Sequence, residues 1–372
     1  MVEWKKLGEI ANITIGEFVH RDKQNPKAKY PVYNGGTTYT GFYEYYNNTG
    51  NKIVISARGY AGFVNRVFDN YWAGNSSYSI DINNSKVLWH FVYYYLKNEQ
   101  YNIMSMQQKG GGLAAISKKQ VQELLIPIPS LSEQQRIVSI LDTFTSSISN
   151  LKQQIEERRK QYEYERDLLL DLEGKEGVEM KKLGEVVSSD CSLSYGIVQP
   201  GDDVIDGVPV VRPVDLISNY VKLDGLKKTE RQISESYKRT MLKGNEILFC
   251  VRGTTGIMGL ATNELKGCNV TRGIVPISFD DELTKMFVYY QLKGFRLQKV
   301  IDEKTNGTAL KQINIKDLRL LNLFFPPLST QSRIVSILDT FEQSIANLEE
   351  QLAMREKQYE YYREKLLRFE EA

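Results

Sequence analysis

The sequence predicts a mixed α/β (α+β) protein in which two globular domains are separated by two long antiparallel helices forming a coiled coil, the whole built on an internal pseudo-two-fold repeat. Three observations lead there. First, the chain is written twice. Lys5-Lys6-Leu7-Gly8-Glu9 returns 176 residues later as Lys181-Lys182-Leu183-Gly184-Glu185, and Arg136 to Phe144 (RIVSILDTF) returns unchanged at Arg333 to Phe341, 197 residues later. Repetition of this length is the first feature to settle in any sequence, because it dictates the architecture. Second, each copy opens with a block rich in Gly, Asn, Tyr and Thr that carries short apolar runs. Third, each copy closes with a long stretch whose apolar residues recur at steps of three and four.

The globular blocks span 1–131 and 179–328. Runs such as Ile53–Ala57, Val121–Ile128, Ile247–Val251 and Leu318–Phe325 are the length of strands and are bounded by turn formers. Weaker echoes align them: Pro31-Val32 with Pro209-Val210, and Phe91 to Lys97 (FVYYYLK) with Phe287 to Lys293 (FVYYQLK). The offset grows from 176 to 197, so the second block holds 21 extra residues. Shared ends with divergent middles describe one scaffold offering two surfaces.

The closing stretches span 132–178 and 329–372. Ile137, Leu141, Phe144, Ile148, Leu151 and Ile155 form one helical stripe, matched by Ile334, Leu338, Phe341, Ile345, Leu348 and Leu352, then Tyr359, Tyr362 and Leu366. That spacing is the seam of a coiled coil. Ser132 with Gln135 fits a capping box, Ser329 is placed to cap the second helix, and Gly174 and Gly177 are placed to end the first. Each helix of about 40 residues runs roughly 60 Å. One leads out of the first globular block and the other out of the second, so pairing by a return path gives an antiparallel dumbbell.

Composition limits what such a molecule does. With 41% hydrophobic and 25% charged residues the chain has an ordinary folded composition. No apolar run approaches the ~18 residues of a membrane span, and residues 1–10 lack the apolar core of a signal peptide, so no membrane association and a cytoplasmic address are expected. Cys191, Cys250, Cys268, His20 and His90 are too scattered for a zinc site or disulfide framework. The formal charge of +2 conceals alternation: +5 over 1–131, −3 over 132–178, +3 over 179–328 and −3 over 329–372. Two mildly basic blocks permit nucleic-acid binding.

Catalytic motifs are missing. There is no phosphate-binding Gly-x-x-x-x-Gly-Lys-[Ser/Thr] and no Gly-x-Gly-x-x-Gly after a strand. Phe325-Pro326-Pro327-Leu328 lacks the polar residue that opens an adenine-methylase tetrapeptide, and Asp302-Glu303-Lys304 lacks a spaced acidic partner. No catalytic, cofactor-binding or metal-binding residues are therefore expected in this chain.

Two different globular blocks alternating with two near-identical helices resembles the specificity (S) subunits of type I restriction-modification systems. The Leu-Gly-Glu openings at Leu7 and Leu183, the Pro-x-Leu-Ser-[Glu/Thr]-Gln stretches at Pro129–Gln134 and Pro326–Gln331, and the repeated RIVSILDTF carry the resemblance across essentially the whole chain. It implies a non-catalytic subunit whose two target-recognition domains each read one half of a split, asymmetric sequence in double-stranded DNA. It also implies helices that act as spacer and as dock for two methylase subunits, through which motor-nuclease subunits join. S-adenosylmethionine is then expected in the partner methylase and no cofactor in this chain. The unpaired docking surfaces leave self-association open when the subunit is alone. The competing reading is a structural dumbbell whose two heads bind proteins rather than DNA.

Within the blocks, the leading candidates for DNA contact are the repeated Arg-Gly-x-x-Gly segments, Arg58-Gly59-Tyr60 and Arg252-Gly253-Thr254-Thr255. Each follows an apolar strand, so arginine stands at a strand edge and glycine lets backbone approach phosphate. The alternative is a hairpin whose glycines take positive φ and whose arginine only packs. Loop candidates are Asn34, Gly35, Gly36, Thr37 and Thr38 with Lys109 and Gly110 in the first block, and Arg212, Lys304, Asn306, Thr308 and Lys311 in the second. Phe91, Tyr93, Tyr94, Tyr95, Phe287, Tyr289 and Tyr290 are read as core. Tyr162, Tyr164, Tyr359 and Tyr361 belong either to the seam or to a docking face.

Overall fold

A computed structural model describes residues 2–107, 114–305 and 311–370. The chain divides into two compact units, 1–153 with 349–372, and 154–348. Each contains one globular head and parts of both long helices.

In the first unit the chain runs through β1 (Glu3–Lys6), α1 (Leu7–Ile10), β2 (Ala11–Ile15), β3 (Tyr30–Tyr33), β4 (Gly41–Tyr43), β5 (Lys52–Ser56), β6 (Val64–Val67), β7 (Trp72–Ala73) and β8 (Ser77–Ile82). It continues through α2 (Trp89–Asn98), α3 (Gln100–Ser105), α4 (Lys118–Gln122) and β9 (Leu125–Ile128) into the long α5 (Leu131–Leu169). An antiparallel sheet of order β2-β8-β5-β6 is flanked by a mixed sheet β4-β3-β7 and by the pair β1-β9. Strand β5 sits inside its sheet, and Ile53, Val54 and Ile55 are all buried, so β-branched residues fill both faces.

The second unit repeats this plan. Strands β10 (Glu179–Lys182), β11 (Val208–Val211), β12 (Lys228–Thr229), β13 (Ile247–Cys250), β14 (Met258–Leu260), β15 (Asn269–Val270), β16 (Ile274–Ile277) and β17 (Asn322–Phe325) form sheets β14-β13-β16, β12-β11-β15 and β10-β17. The helices are α6 (Leu183–Val186), α7 (Arg231–Ser236), α8 (Glu282–Lys293), α9 (Phe295–Lys304), α10 (Ile315–Arg319) and the long α11 (Leu328–Leu367). Parallel pairing of β3 with β7 recurs as β11 with β15. The mixed α/β architecture with a pair of long helices is thus the one the repeats predict.

Several local expectations shift. The runs Val121–Ile128 and Leu318–Phe325 are each the end of a short helix followed by a strand, because Ser117 and Asn314 cap helices through Gln120 N–H (3.2 Å) and Asp317 N–H (2.8 Å). Helix α5 is capped by Ser130, whose Oγ accepts Glu133 N–H at 3.3 Å, rather than by Ser132. Ser329 lies inside α11, whose first free N–H groups, of Thr330 and Gln331, turn to the Pro327 carbonyl. Helix α5 stops at Leu169, before Gly174 and Gly177, which take φ of +71° and +72° in the turns that follow.

The apolar stripe on the long helices also divides. Ile137 and Leu141 are fully buried in the core of the first head, and Ile334 and Leu338 in that of the second. Each core also takes in the end of the other helix, Leu367 in the first and Tyr162 in the second. Within the first unit Phe144 stacks on Tyr362 with centroids 5.4 Å apart and lies 6.4 Å from Tyr359. Within the second Tyr162 lies 6.3 Å from Phe341. Residues from the start of one helix thus face residues from the end of the other, which is antiparallel pairing. Tyr162 and Tyr359 belong to this seam, whereas Tyr164 and Tyr361 are exposed.

The most repeated residues join heads to helices. Tyr94 of α2 donates to Asp142 Oδ1 at 2.5 Å, and Tyr290 of α8 donates to Asp339 Oδ1 at 2.5 Å. Both aspartates belong to RIVSILDTF. Buried Gln134 donates to the Pro129 carbonyl (2.9 Å) and its counterpart Gln331 to that of Pro326 (2.7 Å). The tyrosine clusters are therefore core: Phe91, Tyr94, Phe287, Tyr289 and Tyr290 are buried and Tyr93 and Tyr95 half-buried.

Candidate nucleic-acid interface

Both Arg-Gly-x-x-Gly segments close the same way. Leaving β5, Arg58 bridges to Ala115, Gly59 donates N–H to the Ala114 carbonyl (3.1 Å), and Gly62 reaches back to Ser56 (2.8 Å). Leaving β13, Arg252 bridges to Gln312, Gly253 donates to the Lys311 carbonyl (2.9 Å), and Gly256 reaches back to Cys250 (2.9 Å). All four glycines have φ between +77° and +90°. The turn itself requires them there, because a side chain in this region is strained. The hairpin reading therefore accounts for the glycines.

The arginines part company. Arg58 is exposed and, among the described residues, its side chain makes no ion pair or hydrogen bond. Arg252 is half-buried, and among the described residues its enclosed Nε has no acceptor. Arg58 is thus open to solvent, whereas Arg252 is in part packed.

In the first head the fold brings two candidate loops together. Gly35 accepts Tyr60 N–H at 2.9 Å, Gly36 accepts the Ser56 hydroxyl at 2.8 Å, and Asn34 Oδ1 accepts Ser76 N–H at 2.9 Å. A Cβ on Gly35 would stand 2.1 Å from the Arg58 carbonyl, so glycine is the residue that lets the loops touch. Thr37 and Thr38 remain exposed. Beside this junction opens a cleft of about 950 Å³ lined by Gly35, Gly59 and Tyr60 together with Phe18, His20, Arg21 and Gln24. Those last four were not singled out by sequence. Their signal was present in the basic run between β2 and β3.

In the second head Arg252, Gly253, Thr255 and Lys311 are gathered, Thr255 Oγ1 donating to the Lys311 carbonyl at 3.2 Å. Lys311 Nζ is paired with Asp302 (2.9 Å) and Thr254 is exposed. Lys304 ends α9 on the far side of the segment 306–310 from Lys311. Arg212 is turned inward onto Asp215, donating from Nε (3.0 Å) and Nη2 (2.7 Å), a bidentate pair that raises its affinity for the proton further. Lys109, Gly110, Asn306 and Thr308 lie outside the described residues. The structure adds Arg272, exposed in the turn after β15, with N–H donated to Ile197 O (2.7 Å). The next residue, Gly273, accepts Val251 N–H at 2.8 Å, which places this turn against the Arg252 strand.

Beneath these turns each head carries an asparagine clamp, half-buried in the first head and buried in the second. Asn47 exchanges two hydrogen bonds with the Ala73 backbone (3.0 and 2.7 Å), and Asn269 accepts the Thr240 hydroxyl (2.7 Å) while donating to Ser234 (3.1 Å). In the first head the asparagine lies on the connection and grips the strand. In the second it lies on the strand and grips the connection.

Among the described residues no group of three or more His, Cys, Asp or Glu is placed to hold a metal ion, and no helix is long and apolar enough to cross a membrane.

A duplicated head-and-helix chain with exposed polar turns around a strand-edge arginine defines a class of two-headed recognition proteins. Comparison with known sequences places it within that class: the family described as type I restriction modification DNA specificity domain matches residues 1–158 and 175–354, and the chain belongs to it. It is 25% identical over 295 residues to the type I restriction enzyme EcoBI specificity subunit of Escherichia coli, covering 72% of this chain and 61% of that protein. A second E. coli type I restriction enzyme specificity subunit is 27% identical over 404 residues, covering 99% and 94%. The crystal structure of a type I restriction-modification S subunit from M. genitalium superposes with a TM-score of 0.70 at 18% identity, covering 100% of this chain and 97% of that one. The shared fold is that of an S subunit.

Proposed function

We propose that this specificity subunit is non-catalytic and reads an asymmetric, two-part target in double-stranded DNA. One head takes each half, and the helical pair serves as spacer and as dock for two methylase subunits, through which motor-nuclease subunits join. In this reading S-adenosylmethionine is held by the methylase, and the heads are bounded near 1–131 and 179–328, with helical segments 132–178 and 329–372. One observation carries it: the tyrosine–aspartate bond that fastens head to helix is the same in both copies, whereas the connections around the strand-edge arginine differ in length and chemistry. Identical fastening with different surfaces suits two distinct half-sites read in a fixed relation. Exposed Tyr164 and Tyr361, equivalent positions on the two long helices, support a docking role for the helices.

The test is co-expression with a methylase subunit of the same system, followed by single-molecule mapping of methylated adenines. Methylation is expected at one asymmetric motif split by a fixed gap. Replacing residues 1–131 by another head is expected to change one half of that motif only. Absence of methylation, together with a purified complex lacking salt-sensitive DNA affinity, would favour the protein-binding dumbbell.

A further inference from the structure

We propose that the two heads grip the DNA phosphate backbone through different connections of one scaffold: the first through the β2–β3 connection, by Arg21, Lys23 and Lys27, and the second through the β11–β13 connection, by Arg231, Lys238 and Arg239. The proposal rests on the reading that the heads bind duplex DNA and says where on each head the backbone runs.

Charge has changed places between equivalent connections. In the first head residues 16–29 carry four Lys/Arg against two Asp/Glu, whereas residues 34–51 carry no Lys or Arg and one acid, Glu44. In the second head the order is reversed. Residues 196–207 contain Asp202, Asp203 and Asp206 and no Lys or Arg, whereas residues 212–246 carry eight Lys/Arg against five Asp/Glu. A surface that is merely solvated has no reason to segregate sign this way. One that lies along phosphate does, because an acid there repels the duplex and a cation displaces its counterions.

The cations are also uncommitted. Arg21, Lys23, Lys27, Arg231, Lys238 and Arg239 are all exposed, and none enters a side-chain ion pair among the described residues. By contrast Arg212 is held by Asp215 and Lys243 by Asp190, so these two serve the fold.

Position completes the argument. Arg21 lines the cleft that Gly59 and Tyr60 close, beside Arg58. In the second head Tyr237, which precedes Lys238 and Arg239, accepts Val198 N–H at 3.4 Å, and the neighbouring Ile197 carbonyl accepts Arg272 N–H at 2.7 Å. The buried Asn269 clamp pins this connection to β15, which leads to Arg272 and the Arg252 turn. Each basic connection thus adjoins the strand-edge arginine of its own head.

The experiment titrates full-length protein with mixed-sequence duplex DNA by fluorescence anisotropy across a series of KCl concentrations. Removing one phosphate-neutralising cation should shrink the slope of log affinity against log salt by about 0.9, hence by up to about 2.7 for a triple variant. Arg21→Gln/Lys23→Gln/Lys27→Gln and Arg231→Gln/Lys238→Gln/Arg239→Gln are each expected to do this, and Arg21→Lys to retain the wild-type slope. Lys266→Gln/Lys299→Gln/Lys316→Gln removes the same charge from other exposed positions of the second head and is expected to leave the slope unchanged. If wild-type binding is salt-dependent but the control triple loses as much slope as the other two, or those two lose none, this assignment is overturned while DNA binding stands. If wild-type protein shows no salt-dependent affinity, the DNA reading fails and the assignment with it. Circular dichroism of every variant separates the removal of a cation from the unfolding of a head.

Discussion

The two heads are the same object below and different objects above. Below, toward the helices, Tyr94–Asp142 and Tyr290–Asp339 play the same role, and Gln134 and Gln331 each donate to the carbonyl of the proline five residues earlier. Above, the β3–β5 connection of the first head carries the exposed aromatics Tyr39, Tyr45 and Tyr46, whereas its counterpart is longer, basic and holds α7. The offset between copies stands at 178 at Pro31 and Pro209 and at 194 at Ile53 and Ile247, so sixteen of the 21 additional residues fall in this one connection. Length and chemistry vary where the chain faces outward, while the tyrosine–aspartate pair stays fixed, because leaving one partner of such a pair alone costs about 1–3 kcal/mol.

The largest test of that division strikes the shared part. Phe91→Ala and Phe287→Ala empty equivalent, fully buried positions, and each is expected to cost about 3–5 kcal/mol in chemical denaturation. Unequal costs would show that the two cores are less alike than their sequences.

Next comes the clamp. Asn269→Ala removes the buried amide that holds the second head's connection, with an expected loss of about 1–3 kcal/mol. Limited proteolysis should then cut within 212–246 sooner than in wild type. Asn47→Ala, in a half-buried setting, is expected to do the same within 34–51 more weakly. A third test concerns turn geometry: Gly256→Ala at φ +90° should cost about 1–2 kcal/mol. Gly62→Ala should cost more, since its Cβ would stand 2.9 Å from the Met104 backbone nitrogen, not from a movable side chain.

The smallest effect separates two equivalent lysines. Lys293 is paired with Glu342 at 2.8 Å, but Thr145 stands where Glu342 would be in the first copy. Lys97 therefore lies against the Phe63 ring, 4.0 Å from its centroid, donating to the Val64 carbonyl (2.9 Å) and Gln100 (2.8 Å), with no carboxylate paired to it among the described residues. Burial, with a smaller contribution from the Arg363 guanidinium, pulls this ammonium down to about 8. The unfolded chain, whose lysine titrates near 10.5, binds the proton more tightly, so this site opposes folding below pH 8 and the penalty is relieved as pH rises from 8 to 10.5. Thr145→Glu should stabilise the protein near pH 7 and flatten that rise in a denaturation series; an unchanged pH profile would refute the assignment.

Much of the architecture was legible because it is repeated and periodic. A nine-residue identity and a stripe of apolar residues survive translation into sequence. The joint was half legible: RIVSILDTF marked its place, but that Asp142 and Asp339 meet tyrosines about fifty residues earlier depends on how α2 and α8 pack. The helix starts differ from the serine caps that sequence offers because Ser130 competes with Ser132 at α5 and the Pro327 carbonyl takes the first N–H groups of α11. Of the candidate interface, the turns at Arg58 and Arg252 were legible, because glycines punctuate the strands there. Arg272 and the 18–24 segment were missed, since they join those arginines through contacts between strands distant in the chain. Arg212 looked free and is not, because its partner Asp215 is reached only in the folded turn.

The paired joint has a consequence for manufacture and inheritance alike. A component with a standard fitting can be replaced without redesigning what it attaches to. Asp142 and Asp339 offer the same fitting, and the nine codons around each aspartate encode the same peptide. A crossover at that point would deliver a foreign head onto a mount that already accepts it, so new pairings of heads should arise ready to fold.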